Sequence, residues 1–250
     1  MISVGDDAVL LGAGVVAGAV GSAGGITSLI SYPALLAVGI SPLPAAVTNI
    51  VAIVACWPGS ALASRPELQG RVPWLKRWSL VAVAGGAAGA TLLLVTPAGV
   101  FAKVVPFLIA FASVALLLQP RISAWQERRH GGAHRLLLPC GLLLVCVYNG
   151  YFGAGAGVMV LVLMLLTVDQ HLATANALKN MLLGVATLLS ALAFVIFGHV
   201  NWGAAPPLAV GLFAGSTVGP WVARRVPGSV LRWLVSLAGL GLAVHLWLAA

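Results

Sequence analysis

The chain carries very little charge. Only 5 of its 250 residues are acidic and 13 are Lys or Arg, so charged residues make up 7% of the sequence. Soluble domains usually carry about 25%, and a water-soluble fold of this length could not cover its surface with so few. Scarcity of carboxylates also argues against ATP hydrolysis and against acid–base catalysis. No phosphate-binding P-loop, no nucleophile–base constellation and no His/Asp/Glu cluster with metal-ligand spacing is present, so neither an enzyme nor a cofactor is expected. The three cysteines, Cys56, Cys140 and Cys146, lie in apolar stretches without a C-x-x-C spacing and read as small buried hydrophobes. No basic n-region precedes the first apolar run, as a cleaved signal peptide would require.

What the chain has instead is hydrophobicity. Apolar residues make up 61% of it and the mean hydropathy is +1.08. This composition suits a bilayer, where lipid tails face apolar side chains directly. An all-α integral membrane protein with about 8–10 hydrophobic segments is therefore expected, since a crossing takes roughly 20 residues. Stretches 8–20, 26–40 and 136–149 are too short to cross comfortably alone. Short, glycine-interrupted segments at matching places in two halves point to broken or re-entrant helices.

The halves do match. "GAVGSAGG" at Gly18–Gly25 aligns with "GYFGAGAG" at Gly150–Gly157, and Asn49 falls opposite Asn180. "GRVPW" at Gly70–Trp74 aligns with "GHVNW" at Gly198–Trp202, and Gly85 and Gly89 fall opposite Gly215 and Gly219. The chain divides into a first repeat at 1–118, a linker at 119–135 and a second repeat at 136–250.

Charge orients the repeats. Loop 64–77 carries Arg65, Arg71, Lys76 and Arg77, whereas its counterpart at 198–204 has only His199. Loop 96–103 has only Lys103, whereas its counterpart at 224–232 has Arg224, Arg225 and Arg232. With basic loops cytoplasmic, the linker and loops 64–77 and 224–232 face inside, and each half crosses an odd number of times. The second half is then inverted, an architecture recurrent among transporters. Three or five crossings per half are both compatible. The positive net charge is explained by these loops, and no nucleic-acid surface is expected.

Three groups could form a substrate site. The first is the pair of breaks, with Gly21, Ser22, Gly24 and Gly25 in one and Gly153, Gly155 and Gly157 in the other. Glycine lets a backbone leave helical geometry, and a half-helix N-terminus beyond the break attracts an anion. Close packing through small residues is the alternative. The second is Lys179, about eight residues into an apolar segment, where a charge is costly unless it faces a cavity. Snorkelling to the interface is the alternative. The third is Thr48, Asn49 and Asn180, suited to orienting an oxyanion or to bonding between helices. Most tryptophans, Trp57 among them, read as an interface belt.

At these residues the chain resembles the sulfite exporter TauE/SafE family. "GSAGGITSLISYPALLAVGISPLPAAVTN" and "GYFGAGAGVMVLVLMLLTVDQHLATANALKN" carry the resemblance, with the Gly-x-Val-x-Trp elements and the glycine-rich helices at 85–89 and 215–219. It implies a multi-pass permease of the bacterial inner membrane that moves small sulfur-containing anions such as sulfite or organosulfonates, usually outward. An ion gradient, of protons or sodium, would drive it. The expected partners are the lipid bilayer, a small anionic substrate and that coupling ion, with the oligomeric state open. An anion channel and a non-transporting membrane assembly protein are the alternatives.

Overall fold

A computed structural model of the chain describes residues 4–127, 136–169, 171–223 and 228–249. The described residues form helices and connecting turns, without strands. In the first half, α1 (Val4–Gly24) and α2 (Thr27–Ala37) flank the first glycine break, followed by α3 (Pro42–Ile53), α4 (Cys56–Ala63) and a single turn, α5 (Arg65–Leu68). Two long helices complete it, α6 (Val72–Val95) and α7 (Ala98–Glu127). The second half has α8 (Leu137–Tyr151) and α9 (Ala156–Thr167) around the second break, then α10 (Leu172–Phe197), α11 (Ala205–Ala223) and α12 (Gly228–Ala249). Among the described residues, four spans are long and apolar enough to cross a membrane: Pro42–Leu62, Val72–Val95, Ala98–Leu118 and Leu172–Phe197.

Local chemistry sets the boundaries. Proline stands in the first turn of α3, α5 and α6, where its missing N–H is not needed. Pro58 has the opposite effect between α3 and α4. It cannot donate to the carbonyl of Val54, which accepts instead from the Trp57 N–H at 3.1 Å. The helix is interrupted there, and the two pieces together make one span. α7 runs through residues 119–127, which were expected to be linker, because falling hydropathy marks the edge of a bilayer and not the end of a helix. The remaining linker residues, with Arg128, Arg129 and Arg135, lie outside the described residues, as do Arg224 and Arg225.

Glycine seams bind the bundle together. α1 lies along α11, with Gly14 beside Leu208 and Gly211, and Gly18 beside Leu212 and Ser216. α8 lies along α6 in the same way, Gly85 against Leu143 and Cys146, and Gly89 against Val147 and Gly150. In both seams residue numbers rise together, so the paired helices run parallel. Without side chains between them the backbones approach closely, which favours dispersion contacts where lipid supplies no hydrophobic drive. Large apolar side chains such as Leu80, Phe107, Leu144 and Phe197 point outward, as lipid-facing positions should. Cys140, expected to be buried, is exposed. It lies on the side of α8 away from Leu142 and Cys146, which pack inward.

The ends of the short helices sort to opposite ends of the bundle. α8 and α9 fold back on each other, so that a methyl group on Gly141 would lie 3.0 Å from Leu163 Cδ1. The turn after α9 is held beside the start of α6 by the ion pair of Arg71 Nη2 and Asp169 Oδ2, 2.6 Å apart. Both ends of the α8–α9 pair thus share the end of the bundle where α6 begins. The first half opens at the other end. α1 starts beside the start of α11, and the turn after α2 (Val38 to Ser41) faces Asn201 and Gly203. The Asn201 N–H donates to Thr48 Oγ1 there at 2.9 Å.

Candidate functional site

The two glycine breaks meet inside the bundle. Gly25 ends the first helix in the left-handed region at φ +73°, and its N–H donates to the Gly21 carbonyl. A side chain there would collide with the backbone of Gly157, and one on Gly157 would collide with Gly25. The second break needs left-handed backbone twice, at Gly153 (φ +81°) and Gly155 (φ +76°). A residue with a Cβ strains in that conformation, so glycine is required by geometry. Beyond the breaks begin α2, capped by Ile26, and α9, capped by Gly155. Neither cap residue makes a side-chain hydrogen bond. Some first-turn N–H groups are used locally, Leu29 donating to the Ile26 carbonyl, and Ala156 and Val158 to those of Gly153 and Gly155, while both helix starts carry the positive end of the dipole.

A cavity of about 90 Å³ lies beside this meeting point, between the end of α1 and helices α2, α3, α4, α8, α9 and α10. That is room for a small ion with little water, and far less than a drug-sized ligand needs. Its polar groups come from both halves. Lys179 stands about 10 Å along α10 from Leu172 and is 1% exposed. Its Nζ donates to Asn176 Oδ1 at 2.6 Å. Asn149 Nδ2 donates to Thr187 Oγ1 at 3.0 Å, and Ser28 Oγ stands close to Gly153. All five acidic residues of the chain lie elsewhere: Asp6 and Asp7 at the start of α1, Glu67 in α5, Glu127 at the end of α7, and Asp169, which pairs with Arg71. Among the described residues no carboxylate faces the cavity.

Of the residues singled out from sequence, Gly21, Gly25, Gly153, Gly157, Lys179 and Asn180 line this cavity. Ser22 and Gly24 lie in the last turn of α1. Three others are placed differently. Gly155 points toward Ala112 of α7. Thr48 accepts from the Asn201 backbone, and Asn49 accepts a 2.6 Å hydrogen bond from Ser31 Oγ, tying α3 to α2. Asn49 is thus tied to α2, whereas Asn180, its match in the sequence, lines the cavity. Sequence reasoning missed Thr187, Asn176 and Trp57. Trp57 does not sit in an interface belt: its ring lies over Gly184 and lines the cavity. Pro58 beside it was the available signal, since a proline deep in an apolar segment interrupts the helix there.

Span-length apolar helices, paired breaks and an internal cavity lined by a buried lysine define a polytopic membrane protein. The chain belongs to the sulfite exporter TauE/SafE family, whose match covers residues 8–246. It is similar to the "Probable membrane transporter protein YfcA" of Escherichia coli strain K12, 29% identical over 84% of this chain and 78% of that protein. It is 26% identical to the "Probable membrane transporter protein ORF9" of Sinorhizobium sp, covering 96% of this chain and 91% of that protein. A "Probable membrane transporter protein" of Haemophilus influenzae is 27% identical, with 91% and 89% covered. No solved structure matches the chain. Family membership and the span-length helices make it a multi-pass membrane transporter of the bacterial inner membrane, not an enzyme.

Proposed function

We propose that the chain is a secondary transporter that carries small sulfur-containing anions, such as sulfite or organosulfonates, outward by alternating access between two inverted halves. The observation that carries this reading is Lys179, buried in a cavity that no described carboxylate faces, at the place where the two glycine breaks meet. An ammonium group so placed needs an anionic partner, and two half-helix N-termini beside it favour the same charge. The inversion is supported by the opposite ends of the bundle at which α1–α2 and α8–α9 open, and by the exchanged seams, α1 on α11 and α8 on α6. Each half then has one re-entrant pair and three crossings, a geometry in which a proton or sodium gradient can drive exchange.

Counterflow in proteoliposomes tests the proposal. Vesicles loaded with unlabelled sulfite should transiently concentrate radiolabelled sulfite from outside. A channel equilibrates without overshoot, and a protein that moves no anion shows no uptake at all. Either result would sink the transporter reading for this substrate class.

A further inference from the structure

Trp57 Nε1 is a buried N–H without a hydrogen-bond partner among the described residues, and it lines the same cavity as Lys179. A buried donor left unpaired is destabilising, and native structures rarely keep one without a use. The placement of this indole is specific. Its Nε1 edge lies on Gly184, in the space that a Cβ there would fill. Gly184 stands one helical turn beyond Asn180, on the same face of α10. The interruption between α3 and α4 at Pro58 displaces the backbone at this level. The ring packs across α10 into the cavity instead of outward to lipid.

We infer that the Trp57 indole N–H is a ligand-binding donor of the transport site, holding one oxygen of the anion while the Lys179 ammonium holds another. This rests on the anion-transport reading above and deepens it by naming a requirement of the substrate. The solute must offer at least two acceptor oxygens, as a sulfonate, sulfite or carboxylate head does. A single-atom anion such as chloride, held by the ammonium, has no second oxygen to offer the indole. Gly184 is a positioning residue in this arrangement, because only glycine leaves room for the indole edge.

The test is binding of methanesulfonate, which does not titrate near neutral pH, to the purified full chain by calorimetry. Trp57→Phe should weaken it about tenfold or more, the loss expected for a hydrogen bond to a charged group. Because phenylalanine is also smaller, β-benzothienylalanine is introduced at position 57 in parallel; it keeps the fused ring and has sulfur where indole has N–H. That isostere should fold like the wild type and bind methanesulfonate as weakly as Trp57→Phe, with chloride binding changed far less. Gly184→Ala should follow the same pattern by displacing the ring. Wild-type affinity in the isostere would overturn the assignment of Trp57 while leaving the anion site intact. If the wild-type protein binds neither methanesulfonate nor sulfite, the anion reading itself fails, and the inference falls with it.

Discussion

Gly25 and Gly157 touch backbone to backbone: a methyl group on Gly25 would lie 2.7 Å from the Cα of Gly157. Each break is therefore the other's neighbour, and each tolerates only hydrogen at Cα. Gly157→Ala should destabilise the protein by about 1–3 kcal/mol, the usual effect of overpacking a close contact. Gly25→Ala adds left-handed strain to the collision and should be worse. Thermal unfolding in detergent measures both. Gly12→Ala and Gly241→Ala, where nothing lies within 4 Å, should leave the midpoint unchanged.

Lys179→Met replaces the buried ammonium with an apolar chain of similar length. Removing an unpaired charge from the interior leaves no orphaned partner carboxylate, so the protein should express and fold normally. Anion uptake into proteoliposomes should fall by at least about tenfold, the equivalent of one charge-assisted contact. Full transport by the variant would remove Lys179 from the mechanism.

The Arg71–Asp169 pair ties the start of α6 to the turn between α9 and α10. Asp169 also accepts from the His171 backbone N–H at 3.0 Å. That bond foremost, then the His171 ring and the Arg71 charge, hold its carboxyl below the usual range against the opposing effect of burial. A depressed acid stabilises the fold above its ordinary value and loses that contribution as pH falls through the lowered one. Asp169→Asn should therefore lower the unfolding midpoint slightly at neutral pH. Arg71 is partly solvent-exposed, so the effect should be under about 1 kcal/mol. The gap between variant and wild type should close only below about pH 4. A gap that stays constant from neutral pH to below about pH 4 would separate the effect from ionisation of the Asp169 carboxyl.

Inversion predicts sidedness. In a background with Cys140 replaced, His199→Cys should react with an impermeant maleimide added to intact cells, and Arg65→Cys should react only after permeabilisation. Both positions are exposed, so access to reagent is not the limit. Labelling of both from one face would remove the inverted arrangement.

Much of this site is legible in the sequence because its ingredients are unusual. Glycine clusters in short apolar segments and a lysine ten ångströms (roughly) into another are rare enough to be noticed without a fold. Partners are harder to read. The sequence leaves α8 and α9 as either a broken or a re-entrant pair; that they fold back depends on Gly141 meeting Leu163 and on a seam with α6 far earlier in the chain. Repeat alignment has a similar limit. It placed Asn49 opposite Asn180 and gave no sign that Ser31 of α2 would hold Asn49. Trp57 was misread because tryptophans near segment ends usually meet lipid headgroups, and the interruption at Pro58 defeats that expectation.

The crossed seams also bear on biosynthesis. α1 precedes α11 in the chain and finds its glycine face unmatched until α11 has been made; the groove of α6 likewise waits for α8. Both seams join one half to the other, so neither closes within its own half. α1 and α6 therefore enter the bilayer before the surfaces that complete their glycine seams exist.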